Sequence, residues 1–316
     1  MMKNRRSFIV GLKSTILRTN ERQFLKKYKP WGIILFSRNI KSIAQTKKLT
    51  DDIRKIFNDK KYPILIDQEG GRVNRLNNLI DSSNFTGEFF GKLFKKNIKK
   101  FNVYYKIFIN QTCYLLDKIG VNINTVPVLD VRRKNSNNVI GNRSFDSKPK
   151  IVSKIGDYFI DQFHKNNIAT VIKHIPGHGL AKVDSHKLTP VVKKKMKYLY
   201  KNDFAPFKNK KTFFAMTAHV IYKDIDPINT ATHSPKIIKL IRKKIGFKNI
   251  IISDDISMKG LKYSIKQNLQ KALSAGCNLI LHCNANYSEM RTVAENSPMI
   301  DNFIIQKTSQ FYKFLS

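Results

Sequence analysis

Acid–base residues are concentrated in the segment Lys-His-Ile-Pro-Gly-His-Gly-Leu-Ala-Lys-Val-Asp-Ser-His, residues 173–186. It directly follows an apolar run, residues 168–172, that is typical of a buried strand. Asp184 and His186 are two residues apart, so on a loop the carboxylate can orient the imidazole and raise its basicity. Such a pair can donate and then accept a proton near neutral pH. The segment therefore predicts acid–base chemistry at the end of a strand.

The histidines of this segment also allow other interpretations. His174, His178 and His186 allow a metal site, because zinc commonly takes three protein ligands. Their spacing matches no recognised metal signature, so no metal is expected, and His178 is expected to shape the turn. For the Asp184–His186 pair, the structural alternative is an Asx-type turn beside an exposed histidine.

Aspartates also stand at the ends of two other apolar runs. Asp254 and Asp255 follow residues 249–253, where a carboxylate is a helix cap, an ion-pair partner or a nucleophile. Asp67 opens the segment Asp-Gln-Glu-Gly-Gly-Arg-Val-Asn-Arg, residues 67–75. Its twin glycines suggest close approach of a ligand, and the alternative is a βα turn with an internal arginine–carboxylate pair. The Lys and Ser/Thr of a phosphate loop are missing from it.

About eight apolar runs alternate with segments of helical periodicity, which predicts parallel βα units and a (β/α)8 barrel. A single barrel domain over residues 1–316 is expected, because no linker or composition shift divides the chain. The predicted strands cover residues 7–11, 32–36, 63–66, 122–131, 168–172, 212–219, 249–253 and 277–281. The principal predicted helices cover about residues 20–28, 43–57, 93–119, 150–165, 235–245 and 265–275. A doubly wound sheet is less favoured, because no Gly-x-Gly-x-x-Gly turn follows an early strand.

The barrel explains where the reactive residues fall along the chain. In this fold the active site lies at the carboxyl ends of the strands. The residues expected there are Asp67, Lys173, His174, His219 and Asp254. Gly177 and Gly179 predict a sharp turn followed by a mobile loop, on which Asp184 and His186 would be brought to the site.

Composition restricts the compartment and the partners. With 41% hydrophobic residues in 316, the chain can bury a sizeable core. Cys113, Cys277 and Cys283 are an odd number at no metal-like spacing, so free thiols in a reducing compartment are expected. No apolar run approaches the roughly 18 residues of a membrane span, and the start lacks the pattern of a signal peptide. We therefore expect a cytoplasmic protein.

The formal charge of +37 is the one compositional feature that points to a polyanion partner. Its lysines are spread over nearly every helical segment, and asparagine and isoleucine are abundant too, as a biased base composition would produce. A solvated basic surface is therefore expected, with no specific nucleic acid. A basic polyanion-binding protein remains the alternative from another functional class.

Taken together, the segments resemble the single-domain β-N-acetylhexosaminidases of glycoside hydrolase family 3, the enzymes of peptidoglycan recycling. The resemblance covers nearly the whole chain, and the order and spacing of its segments are very specific. The segments are Gly32–Asn39 (GIILFSRN), Ile66–Arg75 (IDQEGGRVNR), Val126–Val131 (VPVLDV), Ile140–Phe145 (IGNRSF), Lys173–His186, Met216–Val220 (MTAHV) and Ser253–Gly260 (SDDISMKG).

The resemblance implies a role for each matching residue. It implies that Asp254 is the nucleophile of a retaining exo-β-N-acetylglucosaminidase, and that His186, oriented by Asp184, is the acid/base. Asp255 is implied as a supporting neighbour. The residues implied to hold the terminal sugar are Asp67, Arg75, Arg143, Lys173 and His174. The implied substrate is the GlcNAc–1,6-anhydro-MurNAc of muropeptides, with no metal or cofactor, and a monomer is expected.

Two departures from the family pattern affect the loop. Ile175 stands where Phe is common, and Leu180-Ala181 where polar residues are frequent. They put loop dynamics and leaving-group preference in question more than the reaction. The alternatives within the enzyme class are a broader β-glucosidase or hexosaminidase, or a phosphorylase, because a neutral imidazole repels phosphate less than a carboxylate does.

Overall fold

The computed structural model describes residues 4–133, 138–185 and 188–316. Within these residues, eight parallel strands form a closed barrel, as the alternation of strands and helices predicts. In chain order they are β1 (Arg6–Gly11), β2 (Pro30–Leu35), β3 (Ile64–Ile66), β4 (Ile123–Asn124), β5 (Ala169–Ile175), β7 (Phe214–Thr217), β9 (Ile250–Asp255) and β10 (Leu279–His282). The short strands β6 (Val191–Val192) and β8 (Ile221–Tyr222) pair with each other outside the barrel.

Helices follow most of the strands. In the part of the chain that is described they are α1 (Thr19–Tyr28), α2 (Ile43–Phe57), α3 (Gly87–Lys96), α4 (Ile98–Lys118), α5 (Pro149–Lys165), α6 (Met196–Lys201), α7 (Pro235–Leu240), α8 (Ile265–Ala275), α9 (Tyr287–Asn296) and α10 (Asn302–Phe314). The bounds predicted for α2 and α8 are confirmed. None of these helices is both long enough and apolar enough to cross a bilayer.

The single helix predicted over residues 93–119 is wrong, because the structure has two helices there. Asn97 is extended, with a φ of −156°, and its side chain accepts a hydrogen bond from the backbone N–H of Lys100. That hydrogen bond caps α4 and ends the run of helical backbone from α3. Residues 93–119 have helical periodicity on both sides of this break, so the pattern alone does not reveal it.

Two strands also differ from their predicted bounds. The strand predicted over residues 122–131 shortens to β4, and beyond it the chain meets β5 only in an isolated bridge between Val128 and Lys173. β5 is longer than predicted and includes Lys173 and His174, since Lys173 is still paired with Met216 of β7. Lys173 is therefore held by strand pairing instead of starting a loop, and the backbone N–H of His174 donates to the Asp130 carboxylate.

Side chains from every barrel strand fill the interior at matching levels. Ile34 pairs with Leu65, Leu65 with Ile123, and Ile123 with Ala169, and all four belong to one buried cluster. A second and larger cluster lies between the strands and the surrounding helices. Burial on both faces explains why the strands are continuous apolar runs.

α10 closes the barrel at the amino-terminal ends of the strands. The indole N–H of Trp31 donates to the Thr308 hydroxyl at 2.9 Å. The Phe214 ring packs edge-on against Trp31 and Phe311, with centroid distances of 5.6 and 5.5 Å. This aromatic plug leaves the opposite end of the barrel as the place for a cleft.

We expect Phe311→Ala to lower the free energy of unfolding by roughly 3–5 kcal/mol, because it opens a cavity in a fully buried aromatic cluster. Urea unfolding followed by circular dichroism measures the change. Ile228→Ala, at a side chain that is 73% exposed, is the control and should cost less than about 0.5 kcal/mol. Equal losses in the two variants would contradict the role given to α10.

Candidate active site

The open end of the barrel gathers the polar residues that the sequence singles out. Asp67 directly follows β3, Lys173 and His174 lie near the end of β5, and Asp254 and Asp255 end β9. Because the strands are parallel, their carboxyl ends share one rim. The expectation that these residues meet at one face of the barrel is confirmed by the strand bounds and the closed barrel.

A buried lysine is the centre of the site. The Lys173 ammonium donates to Asp67 at 2.9 Å and to the Thr125 hydroxyl at 3.0 Å, and it lies 2.6 Å from the Glu69 carboxylate. Arg143 approaches Glu69 from the other side with two hydrogen bonds of 2.8 Å. Two carboxylates and two cations thus form one connected network, in which each charge that is taken out of water has a partner.

The network keeps its carboxylates ionised. Burial raises the pKa of Asp67, but the Lys173 ammonium and the Arg75 guanidinium outweigh it, so the pKa falls below its usual range. Burial acts on Glu69 in the same way, and Arg143 and Lys173 lower its pKa to about 2. Both side chains are therefore hydrogen-bond acceptors at neutral pH.

Exposure separates the members that reach the cleft from those that support them. The Asp67 and Arg75 side chains are 18% and 29% exposed, whereas Lys173 and Glu69 are 3% and 7% exposed. Arg75 is 3.7 Å from Asp67 and also stacks over the Phe36 ring. A hydroxylated ligand entering the cleft would therefore meet Asp67 and Arg75 first, with Lys173 and Glu69 holding them from behind.

His174 has a carboxylate partner of its own. Its Nδ1 is 2.7 Å from Asp130, which is fully buried and also accepts the backbone N–H of His178. The Asp130 carboxylate therefore orients the His174 ring and anchors the following turn. His178 is buried, with its Nε2 3.1 Å from the Ser185 hydroxyl, and burial followed by the neighbouring His174 lowers its pKa to about 4. This neutral side chain packs within the turn, as expected.

Backbone N–H groups and a serine hydroxyl bind the carboxylates at the end of β9. One Asp254 oxygen accepts the backbone N–H of Asp255 at 2.8 Å. The Asp255 carboxylate accepts from the Ser257 N–H and hydroxyl and from the Cys283 N–H. His219 lies 3.0 Å from the Asp255 carbonyl and 2.7 Å from the Thr232 hydroxyl. The carbonyl can only accept a hydrogen bond, so His219 Nε2 bears the proton. The ring thus supports the end of β9.

The predicted acid–base pair is only partly within the described residues. Asp184 is described and half-buried, and its charge acts on the Arg72 guanidinium. His186 lies outside the described residues, so its pairing with Asp184 stays a prediction. His186 is also one of the three histidines of the metal-site alternative. The described His, Cys, Asp and Glu side chains include no cluster of three that would hold an ion.

The glycines of both motif segments allow close packing within the protein. A Cβ on Gly70 would lie 2.3 Å from the Phe85 carbonyl oxygen, and Gly70 has a φ of +90°. A Cβ on Gly179 would lie 1.9 Å from the Val131 carbonyl oxygen. The suggestion that the twin glycines of residues 67–75 admit a ligand is therefore not supported at Gly70, where the protein's own backbone occupies the space.

The sequence assigns no separate chemical role to three residues of the site, Glu69, Asp130 and Thr125. Glu69 lies two positions after Asp67, and alternate residues of extended chain point the same way, which is the signal that could have found it. For Thr125, only the pairing of β3 with β4 brings it to Asp67.

A closed parallel barrel with a charged, half-open cleft at the carboxyl ends of its strands is the architecture of an α/β-barrel enzyme. The sequence pattern described as "Glycosyl hydrolase family 3 N terminal domain" matches residues 9–308. The chain belongs to this family.

Known relatives agree with this assignment. A β-hexosaminidase of Haemophilus ducreyi is 34% identical over 291 residues, which cover 87% of this chain and 80% of the relative. One of Actinobacillus succinogenes is 33% identical, covering 88% and 81%. The crystal structure of NagZ from Neisseria gonorrhoeae in complex with N-trifluoroacetyl-D-glucosamine has a TM-score of 0.87 and 28% identity, covering 99% of this chain and 90% of that one. The chain is thus a glycoside hydrolase of the β-hexosaminidase class, acting on O-glycosyl bonds.

We expect the free energy of unfolding of Glu69→Gln to change less with pH, on the acid side, than that of the wild type. The pKa of Glu69 is lowered from 4.5 to about 2, so its stabilisation is complete above about pH 4.5 and is lost as the pH falls towards 2. Urea unfolding at several pH values in this interval measures the slope. Asp117→Asn, which removes an exposed carboxylate outside the network, is the control. An unchanged slope in Glu69→Gln would contradict the ionised network.

Proposed function

We propose that the protein hydrolyses terminal β-linked GlcNAc from GlcNAc–1,6-anhydro-MurNAc and its peptide-bearing forms, with retention of configuration. The observation that carries the proposal is the pairing of two unlike arrangements at one rim. One is the ion-paired network around Lys173, which suits a polyhydroxylated sugar. The other is Asp254 at the end of β9, where one carboxylate oxygen accepts a backbone N–H.

In the proposed first step, the Asp254 carboxylate attacks the anomeric carbon of the sugar. The bond to the leaving oxygen breaks, and that oxygen takes a proton from His186. The hydrogen bond from the Asp255 amide orients the attacking carboxylate. Asp255 itself is bound to Ser257 and Cys283, which suits a positioning role beside the nucleophile.

In the second step, His186 takes a proton from water, and the resulting hydroxide attacks the anomeric carbon of the glycosyl–Asp254 ester. The ester bond breaks and Asp254 returns to its ionised form, so two inversions give net retention. Asp184 orients His186 in this proposal and stabilises its protonated form. A histidine–aspartate pair replaces the second carboxylate that most glycosidases use.

The sugar-binding proposal uses the residues that the family resemblance implies. Asp67 and Arg75 are the members of the network most open to the cleft, so we assign them the sugar hydroxyls. Arg143, Lys173 and His174 complete the sugar site. The Lys173 ammonium already contacts Asp67, Glu69 and Thr125. It can therefore bind a sugar hydroxyl only if that hydroxyl replaces one of these contacts.

The choice of substrate rests on relatives. The curated relatives are β-hexosaminidases, and the neisserial NagZ structure contains an N-acylated glucosamine. These names support an N-acetylated hexosamine as the sugar that is released. The anhydro-muramyl leaving group rests on the family resemblance alone.

We expect Asp254→Asn to lower kcat for nitrophenyl β-N-acetylglucosaminide by at least about 10³-fold, because the amide cannot form the glycosyl ester. Nitrophenol release measures turnover, and circular dichroism checks the fold. The exposed Asp117→Asn is the matched control and should retain activity. Undiminished turnover in Asp254→Asn would rule out this residue as the nucleophile.

We expect His186→Ala to lower kcat more for a substrate with a poor leaving group than for one with a good leaving group. A nitrophenolate departs without protonation, whereas a sugar alkoxide does not, so kcat for the disaccharide should fall at least about tenfold more than kcat for the nitrophenyl glycoside. Parallel assays of the two substrates measure the ratio. Equal losses would contradict the acid role. Adding phosphate to the wild-type assay tests the phosphorylase alternative, for which GlcNAc 1-phosphate would be the product.

A further inference from the structure

The outer face of α4 has an apolar stripe where a solvated helix would be polar. Val103, Ile107 and Tyr114 follow one another at spacings of four and seven residues, which places them on one line along the helix. Their exposed fractions are 54%, 59% and 60%. The opposite side of α4 holds the buried residues that pack on the barrel, among them Phe101, Phe108 and Ile109. α4 is therefore apolar on both sides, and only the inner side has a partner among the described residues.

Lysines flank this stripe on both sides. Lys99 and Lys106 lie along one edge, and Lys100 and Lys118 along the other, at positions that follow from 100° per residue. All four are exposed, and none forms an ion pair with a described residue. The Lys118 ammonium lies 5.3 Å from the centre of the Tyr114 ring. Apolar side chains between rows of cations are the pattern of a surface that lies on an anionic bilayer.

The stripe runs into a basic groove at the amino-terminal end of the barrel. The groove has a volume of about 740 Å³, and both Tyr114 and Lys118 belong to its lining. The cationic side chains in its described lining are Lys47, Arg54, Lys60, Lys61 and Lys118, beside the single carboxylate of Asp117. Lys47 is paired with Asp51, and the remaining four cations outnumber the Asp117 carboxylate, so the groove has an excess of positive charge. The charge of this groove is complementary to a phosphate headgroup.

We propose that the outer face of α4 and the adjoining groove dock the protein reversibly on an anionic lipid surface. Val103, Ile107 and Tyr114 enter the headgroup region, the flanking lysines meet anionic lipids, and the groove accepts a headgroup. The surface lies on the flank and the amino-terminal end of the barrel. The cleft at the carboxyl ends of the strands therefore stays open to solvent while the protein is docked.

A lipid surface fits better than a nucleic acid. Single-stranded nucleic acid binds through cations and aromatic rings on which bases stack. Val103 and Ile107 are aliphatic, so they offer neither a stacking face nor a hydrogen bond, and contact with phosphates would leave them in water. In the headgroup region of a bilayer their burial is favourable.

Co-sedimentation with vesicles tests the proposal on the full chain. At about 0.1 M salt, where the Debye length is about 10 Å, the protein should sediment with phosphatidylcholine vesicles that contain phosphatidylglycerol. It should remain in the supernatant with vesicles of phosphatidylcholine alone. Equal behaviour with the two kinds of vesicle, bound or unbound, would overturn the proposal.

Two sets of variants test the surface itself. The triple variant Val103→Gln, Ile107→Gln, Tyr114→Gln keeps the charge and should bind anionic vesicles at least about tenfold more weakly. Ile228→Gln, at an exposed apolar residue elsewhere, is its control. Neutralising the flanking lysines with Lys99→Gln, Lys100→Gln, Lys106→Gln and Lys118→Gln should also weaken binding at least about tenfold.

A second set of lysine substitutions distinguishes binding through this surface from a general effect of the protein's net charge. The substitutions Lys236→Gln, Lys239→Gln, Lys243→Gln and Lys244→Gln remove the same charge from the α7 flank and should leave binding within about twofold. Circular dichroism melts check that each variant is folded. Equal losses in the two lysine sets, or retention of binding by the triple glutamine variant, would overturn the proposal. So would tighter binding to single-stranded DNA that the triple variant leaves intact.

Discussion

The rest of the site depends on the ion pairs that the buried ammonium of Lys173 forms. A cation that is 3% exposed is tolerated only when carboxylates surround it, because an unpaired charge away from water costs several kcal/mol. Asp67 and Glu69 supply these carboxylates from the segment after β3. The ammonium therefore fixes the position of that segment relative to β5. Through its one nitrogen atom it connects the carboxyl ends of β3 and β5, which line the cleft.

The backbone is arranged around this requirement. Lys173 is paired with Met216 of β7, so its Cα is held in the sheet and its side chain projects from a fixed point. Gly70 allows the chain after Asp67 to pass against the Phe85 carbonyl, where any other residue would collide. Arg143, from the loop before α5, then closes the network on Glu69. Three separate segments of the chain are held by one set of charges.

The sequence predicts the barrel well because burial on both faces leaves a strong apolar pattern in each strand. It predicts the location of Asp67, Lys173, His174 and Asp254 because parallel strands share one rim. The sequence does not predict which of these residues face the cleft and which support their neighbours. Which carboxylate faces the cleft and which supports a cation depends on tertiary contacts, such as Thr125 reaching Asp67 across paired strands. The break at Asn97 was missed for a related reason, since one side-chain cap outweighed a continuous helical pattern.

The carboxylates at the rim have different described neighbours, and the proposed function gives them different roles. Asp67 is surrounded by Lys173, Arg75 and Thr125, so its lone pairs are drawn into ion pairs and it is a poor nucleophile with fixed geometry. Asp254 receives a backbone N–H, and its described neighbours include His178 and His219, whose pKa values burial lowers. In the proposed roles, Asp67 binds sugar hydroxyls because its ion pairs hold it in place, and Asp254, with one oxygen bound by a backbone N–H, attacks the anomeric carbon.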